Sequence, residues 1–178
     1  SGAVTVMASA SGYANGTGTV TLEPSGFYFN PNYGTADFST TQLSPPTVLY
    51  TCVSSLDPAT GNRDYQSVQI RAGLTVNLAL TSSNTAVGTI LSTPYSFTGG
   101  DFCDFNTPQL QFQPVGNGTS TLNVVTPAGF ATPSDGQSIT ATVTAAGITV
   151  NPGTIGKDLE ISMGAQLDAP APVGGVVV

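Results

Sequence analysis

The sequence predicts an all-β chain of the sandwich class, and three observations carry that expectation. Apolar residues alternate with polar ones at period two, as on half-buried strands: Val4, Val6, Ala8 and Ala10 against Thr5, Met7 and Ser9, then Leu74, Val76, Leu78 and Leu80 against Thr75, Asn77 and Ala79. The 178 residues hold 21 glycines and 13 prolines, and no stretch keeps apolar positions at helical spacing. A hairpin plan also occurs twice, over residues 3–24 and 119–152. Gly12-Tyr13-Ala14 is answered by Gly129-Phe130-Ala131, and Glu23-Pro24 by Asn151-Pro152, with extra residues in the later turn. These echoes predict a window on a tandem array. Residues 1–24 are the terminal hairpin of a preceding unit, 25–150 a complete sandwich with a long irregular insertion, and 151–178 the first strands of a following unit.

Taken in order, residues 3–21 form the first hairpin, and Glu23-Pro24-Ser25-Gly26 ends its pairing because proline has no N–H for a ladder. Phe27-Tyr28-Phe29 is an aromatic cluster, and residues 30–46 read as turn-rich and Thr/Ser-rich, closing on Pro45-Pro46. Residues 47–53 read as one strand, and Asp57-Pro58-Ala59-Thr60-Gly61-Asn62 as a loop. Strands are expected at 68–70 and 74–80, with Leu74, Val76, Leu78 and Leu80 facing inward. Short strands follow at 85–91 and 95–98, split by Pro94, and another at 110–112. Asn117-Gly118 supplies the tight turn before the second hairpin. In the tail, Leu159 and Ile161 alternate with Glu160 and Ser162, and Val176-Val177-Val178 closes the chain inside a strand.

The charge balance excludes several partners. Charged residues make up only 7% of the chain, against about 25% in an average soluble domain. Three bases (Arg63, Arg71, Lys157) face ten acids, for a net charge of −7. That argues against nucleic acid and anionic membranes, which need clustered cations. Membrane insertion is not expected, since no run of about 20 apolar residues occurs. No basic-then-apolar stretch opens the chain, as expected of a mature or excised polypeptide.

The tail series ITVNPGTIGKDLEISMGAQLDAPAPVGGVVV, the answer of Gly175-Val176-Val177-Val178 to Gly73-Leu74-Thr75-Val76, the Thr81-Ser82-Ser83-Asn84 turn and the two Gly-aromatic-Ala hairpins together resemble bacterial immunoglobulin-like repeats. Such repeats build large secreted tandem-repeat surface proteins. The resemblance implies an immunoglobulin-like β-sandwich in an extracellular or cell-surface adhesin, stalk or fibre.

Candidate chemistry is sparse. In a chain of secreted character the two cysteines, Cys52 and Cys103, read as one disulfide, with two separate buried thiols as the alternative. The absence of histidine removes Ser-His-Asp and Cys-His arrangements and the commonest zinc ligand. Asp57, Asp64, Asp101 and Asp104 are conceivable carboxylate pairs for glycoside hydrolysis, yet each lies where aspartate serves turns. Asp101 and Asp104, joined by Asp57, are the calcium candidates, without EF-hand spacing. No enzyme, cofactor or metal is therefore expected. Lys157 is considered for an amide crosslink and read as an exposed lysine. Asn15 and Asn117 match the glycan acceptor pattern and equally match hairpin turns. Phe27, Tyr28, Phe29, Tyr33, Tyr50, Tyr65 and Tyr95 are weighed as core against a sugar-stacking platform.

The expectation is a structural subunit or repeat of an extracellular bacterial surface fibre or adhesin stalk. It self-associates head to tail by strand complementation into a filament, or joins neighbouring repeats of its own chain. Val4, Val6, Leu159, Ile161, Val176 and Val178 are the assembly residues. The alternative is a carbohydrate- or protein-binding module on the same sandwich, with a glycan or host-surface ligand.

Overall fold

The structure is a computed structural model that describes residues 2–64 and 68–168. Strands run in the order β1 (Gly2–Ala8), β2 (Gly16–Leu22), β3 (Ser25–Phe29), β4 (Phe38–Thr41), β5 (Thr47–Val48), β6 (Thr51–Ser55) and β7 (Thr75–Ser82). They continue with β8 (Gly88–Leu91), β9 (Tyr95–Thr98), β10 (Gln111–Pro114), β11 (Gly118–Val125), β12 (Ser138–Thr144), β13 (Ile148–Val150) and β14 (Ala165–Leu167). One 3-10 turn, Pro31–Tyr33, is capped by the Asn30 side chain and ends on Gly34 at φ 87°. The all-β expectation holds, in a sandwich of sheets.

One layer is the five-stranded sheet β4-β12-β11-β7-β9, antiparallel except where β4 joins β12 in parallel. Facing it are the three-stranded sheet β5-β10-β8 and the β3–β6 pair. The core lies between them. Val76, Leu78 and Leu80 of β7, Leu122 and Val124 of β11, and Ile139, Ala141 and Val143 of β12 meet Phe27, Phe29, Leu49, Val53, Leu110 and Phe112. The period-two reading of β7 is borne out: Thr75 and Asn77 are exposed, and Leu74, at the strand's mouth, is half-buried.

Four sequence expectations need correcting. The run 47–53 is two strands in two sheets, β5 on β10 and β6 on β3. The chain passes from one sheet of the facing layer to the other at Leu49-Tyr50, where the Leu49 N–H bonds the Leu110 carbonyl (2.9 Å) and the Tyr50 N–H the Thr35 hydroxyl (2.7 Å). Those bonds replace ladder bonds, so an unbroken apolar run conceals the crossing. Residues 68–70 form no strand, although the Ile70 N–H bonds the Asp101 carbonyl (2.8 Å) and Ile70 is buried. The stretch 30–46, read as irregular, contains β4, whose Phe38-Ser39-Thr40-Thr41 lacks alternation because an edge strand buries little of itself. In the tail, Leu159 and Ile161 form no strand; β13 instead pairs with β14, Ile148 opposite Leu167.

The disulfide Cys52–Cys103 is formed, with Cα atoms 4.0 Å apart, and ties β6 to the segment after Gly100, as the cysteine count led us to expect. Loop 126–137 between β11 and β12 docks on β3. Its Gly136 carbonyl accepts the Phe29 N–H (2.8 Å), and the Gln137 amide donates to the Phe27 carbonyl (2.6 Å).

Candidate functional site

The feature that stands apart is the β1–β2 hairpin. Its register pairs Val4 with Val20, Val6 with Gly18 and Gly2 with Leu22 on one face, and Thr5 with Thr19, Met7 with Thr17 and Ala3 with Thr21 on the other. One face is therefore aliphatic and the other mostly threonine. Both are exposed along the full length of both strands, and Val4 and Val20 stand 47% and 51% open. The half-buried strand expected from the alternation is thus uncovered.

The β11–β12 hairpin has the same chemistry in covered form. Thr121 pairs with Thr140 and Thr119 with Thr142 outward, while Leu122–Ile139 and Ser120–Ala141 pair inward and are buried. Both hairpins turn on the same device. The Tyr13 N–H bonds the Ala10 carbonyl (3.2 Å) around Gly12 at φ 84°, and the Phe130 N–H bonds the Pro127 carbonyl (3.1 Å) around Gly129 at φ 87°. Glycine is needed at both, since a side chain disfavours that φ.

Superposing the two registers also corrects a correspondence. With Leu22 placed on Val143, residues 16–41 match 137–162 without a gap. Thr19, Thr21, Gly26, Asn30, Pro31 and Asp37 then fall on Thr140, Thr142, Gly147, Asn151, Pro152 and Asp158. Asn151-Pro152 therefore answers Asn30-Pro31 rather than Glu23-Pro24, and β13 answers β3. The later turn is longer because it makes docking contacts: Asp135 receives Arg63 in a two-pronged ion pair (2.9 and 2.5 Å), and the Ser134 hydroxyl bonds Asn62 (2.6 Å). The pairing with Arg63 holds the Asp135 carboxyl below its usual range.

Of the expected assembly residues, Val4 and Val6 lie on the aliphatic face of the hairpin, and Leu159 and Ile161 stand exposed in the tail, Leu159 at 71%. Val176 and Val178 lie outside the described residues. At the hairpin's root, Leu22 joins Val53, Val68, Ile70, Leu74 and Phe130 around an open groove of about 460 Å³.

The candidate carboxylates are mostly held singly by local hydrogen bonds, and the one close meeting is of Asp64 with Glu23. Asp57 accepts the Ala59 and Thr60 N–H groups (2.7 and 2.9 Å), which lower its pKa. Asp101 accepts the Thr98 N–H (2.7 Å) and hydroxyl (3.0 Å). Asp64 lies beside Glu23, whose pKa is raised chiefly by desolvation and then by Asp64. Asp104 is fully buried next to the disulfide and accepts the Thr51 N–H (2.7 Å); burial pushes its pKa up to about 7. Among the described residues no three His, Cys, Asp or Glu side chains are placed to hold a metal. Lys157, Asn15 and Asn117 are exposed.

The aromatic set divides in two. Phe27, Tyr28, Phe29 and Tyr95 are buried, with the Arg63 guanidinium 4.1 Å from the centre of the Tyr28 ring. Tyr65 lies outside the described residues. Tyr33 and Tyr50 join Phe102 and Phe105 in an open cluster: Tyr33–Phe105 ring centres are 5.0 Å apart, Tyr50–Phe105 5.8 Å and Phe102–Phe105 5.3 Å. Sequence reasoning missed Phe102 and Phe105. The signal was their placement around Cys103, which the disulfide draws to β6.

No family model matches the chain, and no curated protein matches it. Among solved structures, domains 4 and 5 of the S-layer protein SbsC superpose with a TM-score of 0.47 at 12% identity, over 80% of this chain and 66% of that one. The chain thus spans just under two thirds of the length of that structure.

Proposed function

We propose that this chain is a non-enzymatic structural unit of an extracellular bacterial array, a fibre or adhesin stalk in which successive units share strands. One observation carries the reading: the β1–β2 hairpin repeats the register and the outward threonines of the buried β11–β12 hairpin, while its aliphatic face stands exposed among the described residues. Inside the sandwich such a hairpin needs a parallel strand on one edge, an antiparallel strand on the other, and a covering layer. An isolated two-stranded hairpin is marginal in water, and its open edges template further pairing. Strands of another unit are the natural cover. The match of residues 16–41 to 137–162 supports a repeated plan, and the Cys52–Cys103 disulfide suits an oxidising, extracellular setting.

Val20→Asp tests this reading. Val20 is exposed in the single chain, so the sandwich should keep its melting temperature while concentration-dependent association disappears. Association that survives both Val20→Asp and Val4→Asp would refute the role of the hairpin.

The open Tyr33–Tyr50–Phe102–Phe105 cluster favours a second reading, a module that stacks sugars on its rings. A glycan array, probed with and without Phe105→Ala, separates the two: silence throughout leaves the structural role alone.

A further inference from the structure

We infer that the strand received by the free edge of β2 is residues 158–162 of a second copy, added in parallel. This rests on the array reading above and names its partner. The template is inside the chain. The edge of β12 is occupied by β4 in parallel, Ala141 opposite Phe38, Thr142 opposite Ser39, Val143 opposite Thr40 and Thr144 opposite Thr41. The ladder is clamped at its start by Asp37, whose Oδ1 accepts the Thr140 N–H (2.7 Å), and closed by the Gln42 N–H on the Thr144 carbonyl (3.0 Å).

The correspondence of 16–41 with 137–162 carries both partners across. β2 answers β12, and Asp158-Leu159-Glu160-Ile161-Ser162 answers Asp37-Phe38-Ser39-Thr40-Thr41. The transposed register sets Val20 opposite Leu159, Thr21 opposite Glu160 and Leu22 opposite Ile161, with the Asp158 carboxylate on the Thr19 N–H. Neither half belongs to a further ladder among the described residues: β2 is bonded only to β1, and Leu159 and Ile161 are exposed outside any strand, with the Leu159 N–H in a local turn to the Gly156 carbonyl (3.2 Å).

Charge favours a second copy as the occupant. The protein carries −7, so copies repel wherever acids face one another, yet residues 1–22 contain no charged side chain at all. The body of the hairpin is a surface that an acidic copy can approach without meeting like charge; acids begin only at its root, with Glu23.

The experiment mixes two singly substituted full-length chains, Val20→Cys and Leu159→Cys, under mild oxidation. Both positions are exposed, so neither substitution disturbs the core. An in-register pair on adjacent strands lies within disulfide reach. A pair displaced by two residues, roughly 6.6 Å along the strand, does not. The expected result is a Val20→Cys/Leu159→Cys heterodimer, at least fivefold over the Val20→Cys/Ile161→Cys control. Asp158→Ala should weaken association about tenfold in sedimentation, and Asp158→Asn, which keeps an acceptor oxygen, should restore most of it. Association that persists with no excess of the in-register heterodimer overturns this inference and leaves the array reading standing. Chains that never associate at any concentration overturn both.

Discussion

Asp104→Asn removes a carboxyl that is fully buried beside the Cys52–Cys103 disulfide. Its Oδ1 holds the Thr51 N–H, while its Oδ2 and the Thr51 hydroxyl have no partner of good hydrogen-bond geometry. Desolvation outweighs the Thr51 contacts and lifts the pKa from 3.8 to about 7. The folded state therefore holds this proton more tightly than the unfolded chain does. The resulting stabilisation is complete below about pH 4, is lost as pH rises towards 7, and is absent above that. The difference between the two pKa values corresponds to roughly 4 kcal/mol at most. Asp57 and Asp135, both lowered, act with opposite sign only below their ordinary pKa of 3.8, so the window from pH 4 to 7 belongs to Asp104, with exposed Glu23 adding in the same direction. Urea unfolding with the disulfide intact, followed by far-UV circular dichroism from pH 4 to 8, reads the slope. The wild type should lose stability across that window, and Asp104→Asn should be flatter and the more stable of the two at pH 8. An unchanged slope in the variant, or a wild type steadier at pH 8 than at pH 4, would refute the assignment of the proton to Asp104.

Two substitutions test the sandwich itself. Leu78→Ala, at a fully buried site of β7, should cost about 2–5 kcal/mol, whereas Asn77→Ala loses only an exposed bond from the Ser96 hydroxyl (2.7 Å) and should cost under about 1 kcal/mol. Equal losses in denaturant unfolding would mean that the strand faces are wrongly assigned. Gly88→Ala should destabilise by about 1–3 kcal/mol or more. A Cβ there overlaps the Phe112 ring and comes within 2.8 Å of the Gln113 carbonyl, and Phe112 is buried edge-on against Phe38. A melting temperature unchanged by this substitution would contradict the close approach of β8 to β10.

Where alternation and burial coincide, the sequence was readable: β7 shows its faces in Leu78 and Asn77, and two cysteines in a polar chain sufficed to pair Cys52 with Cys103. What was hidden is non-local. Nothing in Thr47-Val48-Leu49-Tyr50-Thr51 marks the change of sheet, because both sheets bury the same kind of residue against the same core. The parallel edge strand β4 has no alternation to display and lies inside a Thr/Ser-rich stretch that carries no strand signal of its own. The repeat itself was visible, but its alignment was not. Asn-Pro at 151–152 can be set against either Glu23-Pro24 or Asn30-Pro31, and only the register of β2 against β1 and of β12 against β11 fixes which residues correspond. The aromatic cluster depends on the disulfide bringing Phe102 and Phe105 to Tyr50, a contact that no local pattern encodes.

The disulfide also sets how far the chain can be drawn out. Cys52 and Cys103 are 51 residues apart, and the loop they close contains β7, β8 and β9. At about 3.4 Å per extended residue, on the order of 170 Å of contour stays locked even when every sheet has been pulled apart. A unit loaded through its ends pays out only the segments before Cys52 and after Cys103. Two strands of the five-stranded sheet, β7 and β9, are thereby withheld from the line of tension, and they remain gathered for refolding once the load is released.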